Sequence, residues 1–233
     1  LDCNFRITGI HPEIWDPVTG NIRKAHSFKQ SGGQTSLPLF FAENQSYFIV
    51  FRRANKIAGS AAGTGQPNFP AATQVAEIKG PWKIKFDTRL GGHDELEFSG
   101  LEDWSAHPEN SIKYYSGPAT YINRFNFTKN TGGLNILLHL GVVKDIAQVF
   151  VNGIDAGVVW TAPWQIDISK YIIQGSNQLE IIVANQWTNR IIGDASLPDD
   201  KKITNTNIKY PKDKPLSPSG LLGPVNLISI PEL

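Results

Sequence analysis

The residues best suited to chemistry lie close together in the run Asn185-Gln186-Trp187-Thr188-Asn189-Arg190, with Asp194 four residues further on. An aromatic ring here stands beside amides, a guanidinium and a carboxylate. Sugars present apolar C–H faces that stack on Trp and Tyr, and their hydroxyls need Asn, Asp, Arg or Gln next to the ring. Trp160, Trp164, Tyr114 and Tyr115 fall in loops or at strand ends of the same region. The candidate carbohydrate-binding set is therefore Trp160, Trp164, Trp187, Asn189, Arg190, Asp194, Tyr114 and Tyr115. For any single ring, burial in a core competes with this reading.

Other chemistries find less support. Glycoside cleavage needs two carboxylates across the scissile bond, and Glu102, Asp103, Glu109, Asp145, Asp155, Asp167, Glu180 and Asp194 are available. Most alternate out of strands or sit in turns, where solvated acids belong. Asp145 and Asp167 have the setting of turn and capping groups. No catalytic residue is assigned. His11, His26, His93, His107 and His139 are scattered, with no HExxH and no cysteine pair, so no metal site is assigned. His139, inside an apolar run, reads as a core or interface histidine. Cys3 reads as a small buried residue or a stray thiol. Gly63-Thr64-Gly65 lacks the lysine and the following helix of a phosphate cradle. Asn44-Gln45-Ser46 and Asn126-Phe127-Thr128 match a glycosylation acceptor only accidentally.

Composition narrows the partners. The chain has 233 residues, 40% hydrophobic, with a formal net charge of +1, so neither nucleic acid nor an anionic membrane surface is expected. Its apolar runs are far shorter than the roughly 20 residues that span a bilayer. One cysteine leaves no internal disulfide framework. The start LDCNFRITGI has neither the basic n-region nor the apolar h-region of a signal peptide. Leu1 is not a native start, which points to a processed chain or an excised piece.

These residues need a frame, and 15 prolines with 21 glycines imply many turns and little long helix. The frame centres on residues 134–190. Asn152-Gly153 follows the apolar run 147–151 and takes the two positive-φ positions of a type I′ turn. That predicts a hairpin of residues 146–151 and 156–160, with a third strand at 178–184. Asp167-Ile168-Ser169 precedes an expected helical turn at 170–173, and another irregular helical turn is expected over 187–194. Further strands are read at 74–78, 82–86, 94–98, 119–127 and 225–230. Residues 195–219 are polar and broken by proline, a long excursion. Upstream, strands at 4–10, 35–41 and 46–52 make residues 1–53 a small β-unit. Residues 54–72, small and rich in Gly and Pro, read as a linker or long loop. The fold class is all-β: a jelly-roll β-sandwich over 73–233, preceded by that unit.

Two resemblances rest on these motifs. The 149–153 hairpin, the 160–164 aromatic loop, Asp167-Ile168-Ser169 and the 175–185 strand together resemble the galactose-binding-like jelly roll of glycoside hydrolase family 2. Over nearly the whole chain, Ile14-Trp15-Asp16-Pro17, Thr19-Gly20, Gly80-Pro81-Trp82, Asp103-Trp104-Ser105, residues 112–117, Trp187 with Asn189–Asp194, and residues 219–225 resemble the C-terminal region of large bacterial α-L-rhamnosidase-like enzymes (glycoside hydrolase family 106 and relatives). In that family the catalytic carboxylates and the metal lie in an N-terminal barrel, so the resemblance carries over no catalytic residue. It implies a non-catalytic ancillary module of a polysaccharide-degrading enzyme, in the bacterial periplasm or outside the cell. Its partners would be carbohydrate and the catalytic domain of the same parent. No cofactor is expected; the resemblance allows a structural calcium, although no acidic loop has a ligand pattern. Three functions stay open: carbohydrate binding, a structural role packed on the catalytic domain, and hydrolysis by the chain itself.

Overall fold

A computed structural model describes residues 1–55, 63–128, 132–211 and 213–231. The chain divides into two compact units, Leu1–Ala71 and Ala72–Leu233.

Among its described residues the first unit has six short strands: β1 (Asp2–Phe5), β2 (Glu13–Trp15), β3 (Ile22–Lys24), β4 (Lys29–Ser31), β5 (Gln34–Pro38) and β6 (Phe48–Val50). They form two three-stranded antiparallel sheets, β1-β5-β4 and β3-β2-β6. Asp16 makes the turn between β2 and β3: its Oδ1 accepts from the Val18 and Thr19 amides, and Gly20 takes a φ of 74°. A small core of Ile14, Ala25, Phe28, Leu37 and Leu39 is flanked by Phe41, Tyr47 and Phe69. Residues 63–71, expected in the linker, belong to this unit, and 56–62 lie outside the described residues. The buried Asn68 explains why. Its Oδ1 accepts from the His26 and Ser27 amides, and its Nδ2 donates to the Ser27 and Pro38 carbonyls. Gly63 approaches the His26 carbonyl so closely that a Cβ would lie 2.0 Å from its oxygen. Glycine at this position serves packing against backbone.

The second unit comprises β7 (Thr73–Glu77), β8 (Trp82–Phe86), β9 (Leu96–Phe98), β10 (Pro118–Phe127), β11 (Leu134–His139), β12 (Val142–Lys144), β13 (Ile146–Val151), β14 (Ile154–Val159), β15 (Gln165–Asp167), β16 (Gly175–Ala184), β17 (Gly220–Gly223) and β18 (Asn226–Pro231). Among the described residues two short α-helices, α1 (Asn110–Lys113) and α2 (Thr188–Asp194), interrupt them. A six-stranded sheet, β14-β13-β16-β10-β8-β9, faces a four-stranded one, β15-β11-β18-β7; β12 and β17 form a separate pair. Every strand pairing is antiparallel. This is the expected jelly-roll β-sandwich.

Period-two alternation builds the core. β10 and β16 pair over their full length, from Pro118 opposite Ala184 to Phe127 opposite Gly175. Leu179, Ile181 and Val183 point inward with Tyr121 of β10 and with Ala147, Val149 and Val151 of β13. Each such leucine, isoleucine or valine side chain contributes about 1.5–3 kcal/mol through burial. The second sheet supplies Ile136, Leu138 and Leu227.

The central hairpin forms with Asn152 at φ 54° and Gly153 at φ 78°, both positive as a type I′ turn requires. Asn152 also ties the hairpin to its neighbours. Its Nδ2 donates to the Tyr171 carbonyl and to Asn177 Oδ1, and its Oδ1 accepts from the Gln178 amide. The expected helical turn at 170–173 falls slightly earlier, as a single turn: the Tyr171 and Ile172 amides both donate to the Ile168 carbonyl, the second in the i→i−4 pattern of an α-helix. Asp167 caps them by accepting from the Ser169 amide and hydroxyl.

Candidate functional site

Strand register places the segments that carry two of the candidate rings. Val159 lies opposite Ala147, and Ala147 opposite Val183. The segments that leave β14 and β16, carrying Trp160 and Trp187, therefore emerge at the same end, two strand spacings (about 10 Å) apart.

The rings and the amides there behave differently. Trp160 is 57% exposed and Trp187 46% exposed. Trp164 is half-buried against the main core, and its carbonyl accepts from the Leu140 amide. Tyr114 is half-buried and packs on α2, where a Cβ at Gly193 would come within 2.7 Å of it. Tyr115 is fully buried. Its hydroxyl donates to the Pro118 carbonyl and accepts from the Asp87 amide, and burial pushes it up to about 12.

Asn189 is 1% exposed, Arg190 6% and Asp194 2%. Asn189 Nδ2 donates to the Ser217 carbonyl at 2.7 Å and to Ser219 Oγ at 3.1 Å; its Oδ1 accepts from the Ser217 amide at 2.8 Å. The Arg190 amide donates to Ser116 Oγ, and Arg190 Nη2 lies 3.4 Å from the Leu90 carbonyl. Asp194 Oδ2 accepts from the Ile203 amide, the Thr204 amide and the Thr204 hydroxyl. These groups hold the 195–219 excursion to the sandwich.

Other motif residues join the same network. Asn185 Oδ1 accepts from the Gly117 amide, and its Nδ2 donates to the Tyr115 carbonyl and to Ser219 Oγ. Ser116 Oγ donates to the Gln186 carbonyl. Asp103 Oδ1 accepts from the Ser105 amide and hydroxyl and from the Ser219 amide. Beneath them, buried Trp104 donates its Nε1–H to the Tyr121 hydroxyl at 2.6 Å, which also accepts from the Leu221 amide. Gly220, at φ 98°, lets the chain pass over the indole, because a Cβ there would lie 2.6 Å from it. The segments 103–105, 112–117, 185–194 and 217–221 thus meet in one buried polar knot. Ser116, Ser217 and Ser219 are members that were not among the candidates; nothing local marks them, since each has a partner in the knot 28 to 116 residues away.

The carboxylates are mostly engaged. Asp155 accepts from the Gly157 amide and from Gln148 Nε2. Glu102 lies 3.7 Å from His107. Glu109 accepts from Ser111 and contacts His93, contacts that lower its pKa, Ser111 foremost. His93 Nε2 meets both Glu109 Oε1 at 2.6 Å and Ser111 Oγ at 3.0 Å. A Ser-His-acid relay uses the two different ring nitrogens, so this trio is not one. His139 is half-buried, and burial lowers its pKa. Among the described residues, no group of three or more His, Cys, Asp or Glu is placed to hold a metal ion, and no helix is long and apolar enough to cross a membrane. Sequence reasoning also missed buried Glu13 in the first unit, which accepts from Arg52, Asn55 and Trp15.

No family model matches the chain. A solved rhamnosidase from Novosphingobium sp. PP1Y is similar over 98% of the chain, at 40% identity and a TM-score of 0.87. A protein of Formosa agariphila provisionally named a beta-glucuronidase is 32% identical over 73% of the chain. The beta-glucuronidase of Ruminococcus gnavus, at 18% identity and a TM-score of 0.50 over 70% of the chain, shares the fold alone. The chain spans only 21% of the rhamnosidase and 17% of the Formosa protein. Its similarity is to one portion of proteins with glycosidase names.

Proposed function

We propose that this chain is a non-catalytic, ancillary β-sandwich portion of a bacterial glycosidase-type protein. One observation carries the reading: the polar side chains that looked fit for chemistry, Asn189, Arg190 and Asp194, are buried, and Asn189, Arg190 Nη2 and Asp194 Oδ2 are bonded to the chain's own backbone and side chains. Groups held this way brace a fold and have no free face for a substrate. The similarity to about a fifth of a rhamnosidase supports a part that works beside a separate catalytic domain. On this reading the parent acts on polymeric glycans in the periplasm or outside the cell. The test is hydrolysis of aryl α-L-rhamnosides and aryl β-glucuronides by the purified chain. No turnover above buffer is expected; turnover abolished by one carboxylate substitution would overturn the proposal.

The exposure of Trp160 and Trp187 favours a second reading, in which these rings stack on a carbohydrate. Calorimetry with plant-type oligosaccharides tests it. Binding at millimolar concentration that weakens in Trp160→Ala and Trp187→Ala supports this reading, and no binding to any glycan opposes it.

A further inference from the structure

We propose that Arg190 and Asp194 enclose a binding site for one water molecule at the base of the 195–211 segment. Three buried side-chain nitrogen or oxygen atoms have no hydrogen-bond partner among the described residues, and two of them, Arg190 Nε and Asp194 Oδ1, belong to this one pair. Buried polar groups are nearly always satisfied by protein or by ordered water. The two side chains are one helical turn apart, and Arg190 Nη1 comes no nearer than 3.6 Å to Asp194 Oδ1, beyond hydrogen-bond length. Both ends of the pair are tethered. Asp194 Oδ2 is held by the Ile203 amide and by the amide and hydroxyl of Thr204, while the Arg190 backbone is held by Ser116 and its Nη2 lies toward the Leu90 carbonyl.

The unmatched atoms define the ligand. Nε is a donor and Oδ1 an acceptor, so the occupant must accept from one and donate to the other. A cation would face the guanidinium, and an anion would face the carboxylate. A neutral molecule with both capacities fits, and two polar partners are within the range that fixes a buried water. Ile203 and Thr204 pack beside the pair: a Cβ at Gly91 would meet the Ile203 side chain at 2.7 Å and Arg190 Nη2 at 3.5 Å, and both backbone amides donate to Asp194. The water would complete the latch, joining the carboxylate that holds the segment to the guanidinium beneath it.

A crystal structure of the whole chain at about 1.5 Å resolution tests the proposal. The expected result is a density peak of one water within about 2.7–3.2 Å of both Arg190 Nε and Asp194 Oδ1. A direct Nε–Oδ1 contact, a peak whose scattering requires an ion, or no peak with both atoms still apart would each overturn it.

Discussion

Replacing Asn189 by alanine separates a bracing role from a binding one. The substitution removes three hydrogen bonds: to the Ser217 carbonyl, to the Ser217 amide and to Ser219 Oγ. Ser219 Oγ keeps its bond from Asn185 and still donates to the Ser217 carbonyl. The Ser217 amide loses its partner, but Ser217 is half-exposed and water can reach it. At about 0.5–1.5 kcal/mol per net bond, with part recovered by water, the cost is about 2–3 kcal/mol. For a unit of this size, 1 kcal/mol lowers Tm by about 2–4 °C, so a fall of about 5–10 °C is expected. Calorimetry or circular dichroism on wild type and Asn189→Ala measures it, with Trp187→Ala as the control. The exposed Trp187 ring predicts a change of about 1 kcal/mol or less. An Asn189→Ala protein that melts with wild type, yet loses affinity for a glycan, would refute the reasoning.

Other outcomes follow from the same geometry. Gly220→Ala forces a Cβ to 2.6 Å from the Trp104 indole at a φ of 98°; a loss of more than about 3 kcal/mol, read as poor soluble yield or a collapsed unfolding midpoint, is expected. Glu13 is held at about 2, below its ordinary 4.5, by hydrogen bonding to Arg52 above all. Its folded pKa is depressed, so its contribution is full above pH 4.5 and disappears as pH falls toward 2. Arg52 is half-exposed and screened, which limits the contribution to about 1 kcal/mol. Hydrogen exchange of the β2–β6 amides between pH 5 and pH 2.5 reads it, and Glu13→Gln should flatten that dependence. Asn152→Ala should destabilise the second unit by about 1–3 kcal/mol in urea unfolding, because it strips three bonds at the hairpin turn.

What could be read from the sequence divides by range. Asn152-Gly153 announces its turn locally, and the apolar alternation of residues 119–127 and 178–184 survives because β10 and β16 are long and buried on one face. The strands β2, β3 and β4 have three residues each, too few to carry a period, and only the Asp16 turn betrays the first pair. The candidate residues were chosen by composition, and composition does not say which of them are buried. Asn and Asp beside Trp at a strand end have the composition of a sugar site and equally of an internal brace. The deciding facts are the positions of Ser116, Ser217 and Ser219, fixed by chain segments far away. Likewise Asn68 lies in a stretch with the composition of a linker, and only its four bonds to the first unit show that it is part of the fold.

The most direct measurement of the central claim is steady-state hydrolysis of aryl α-L-rhamnosides and β-glucuronides by the purified, folded chain, run beside single variants of Glu109 and Glu180. The account predicts rates equal to buffer for wild type and variants alike. Turnover by wild type that disappears in one carboxylate variant of unchanged Tm would contradict it.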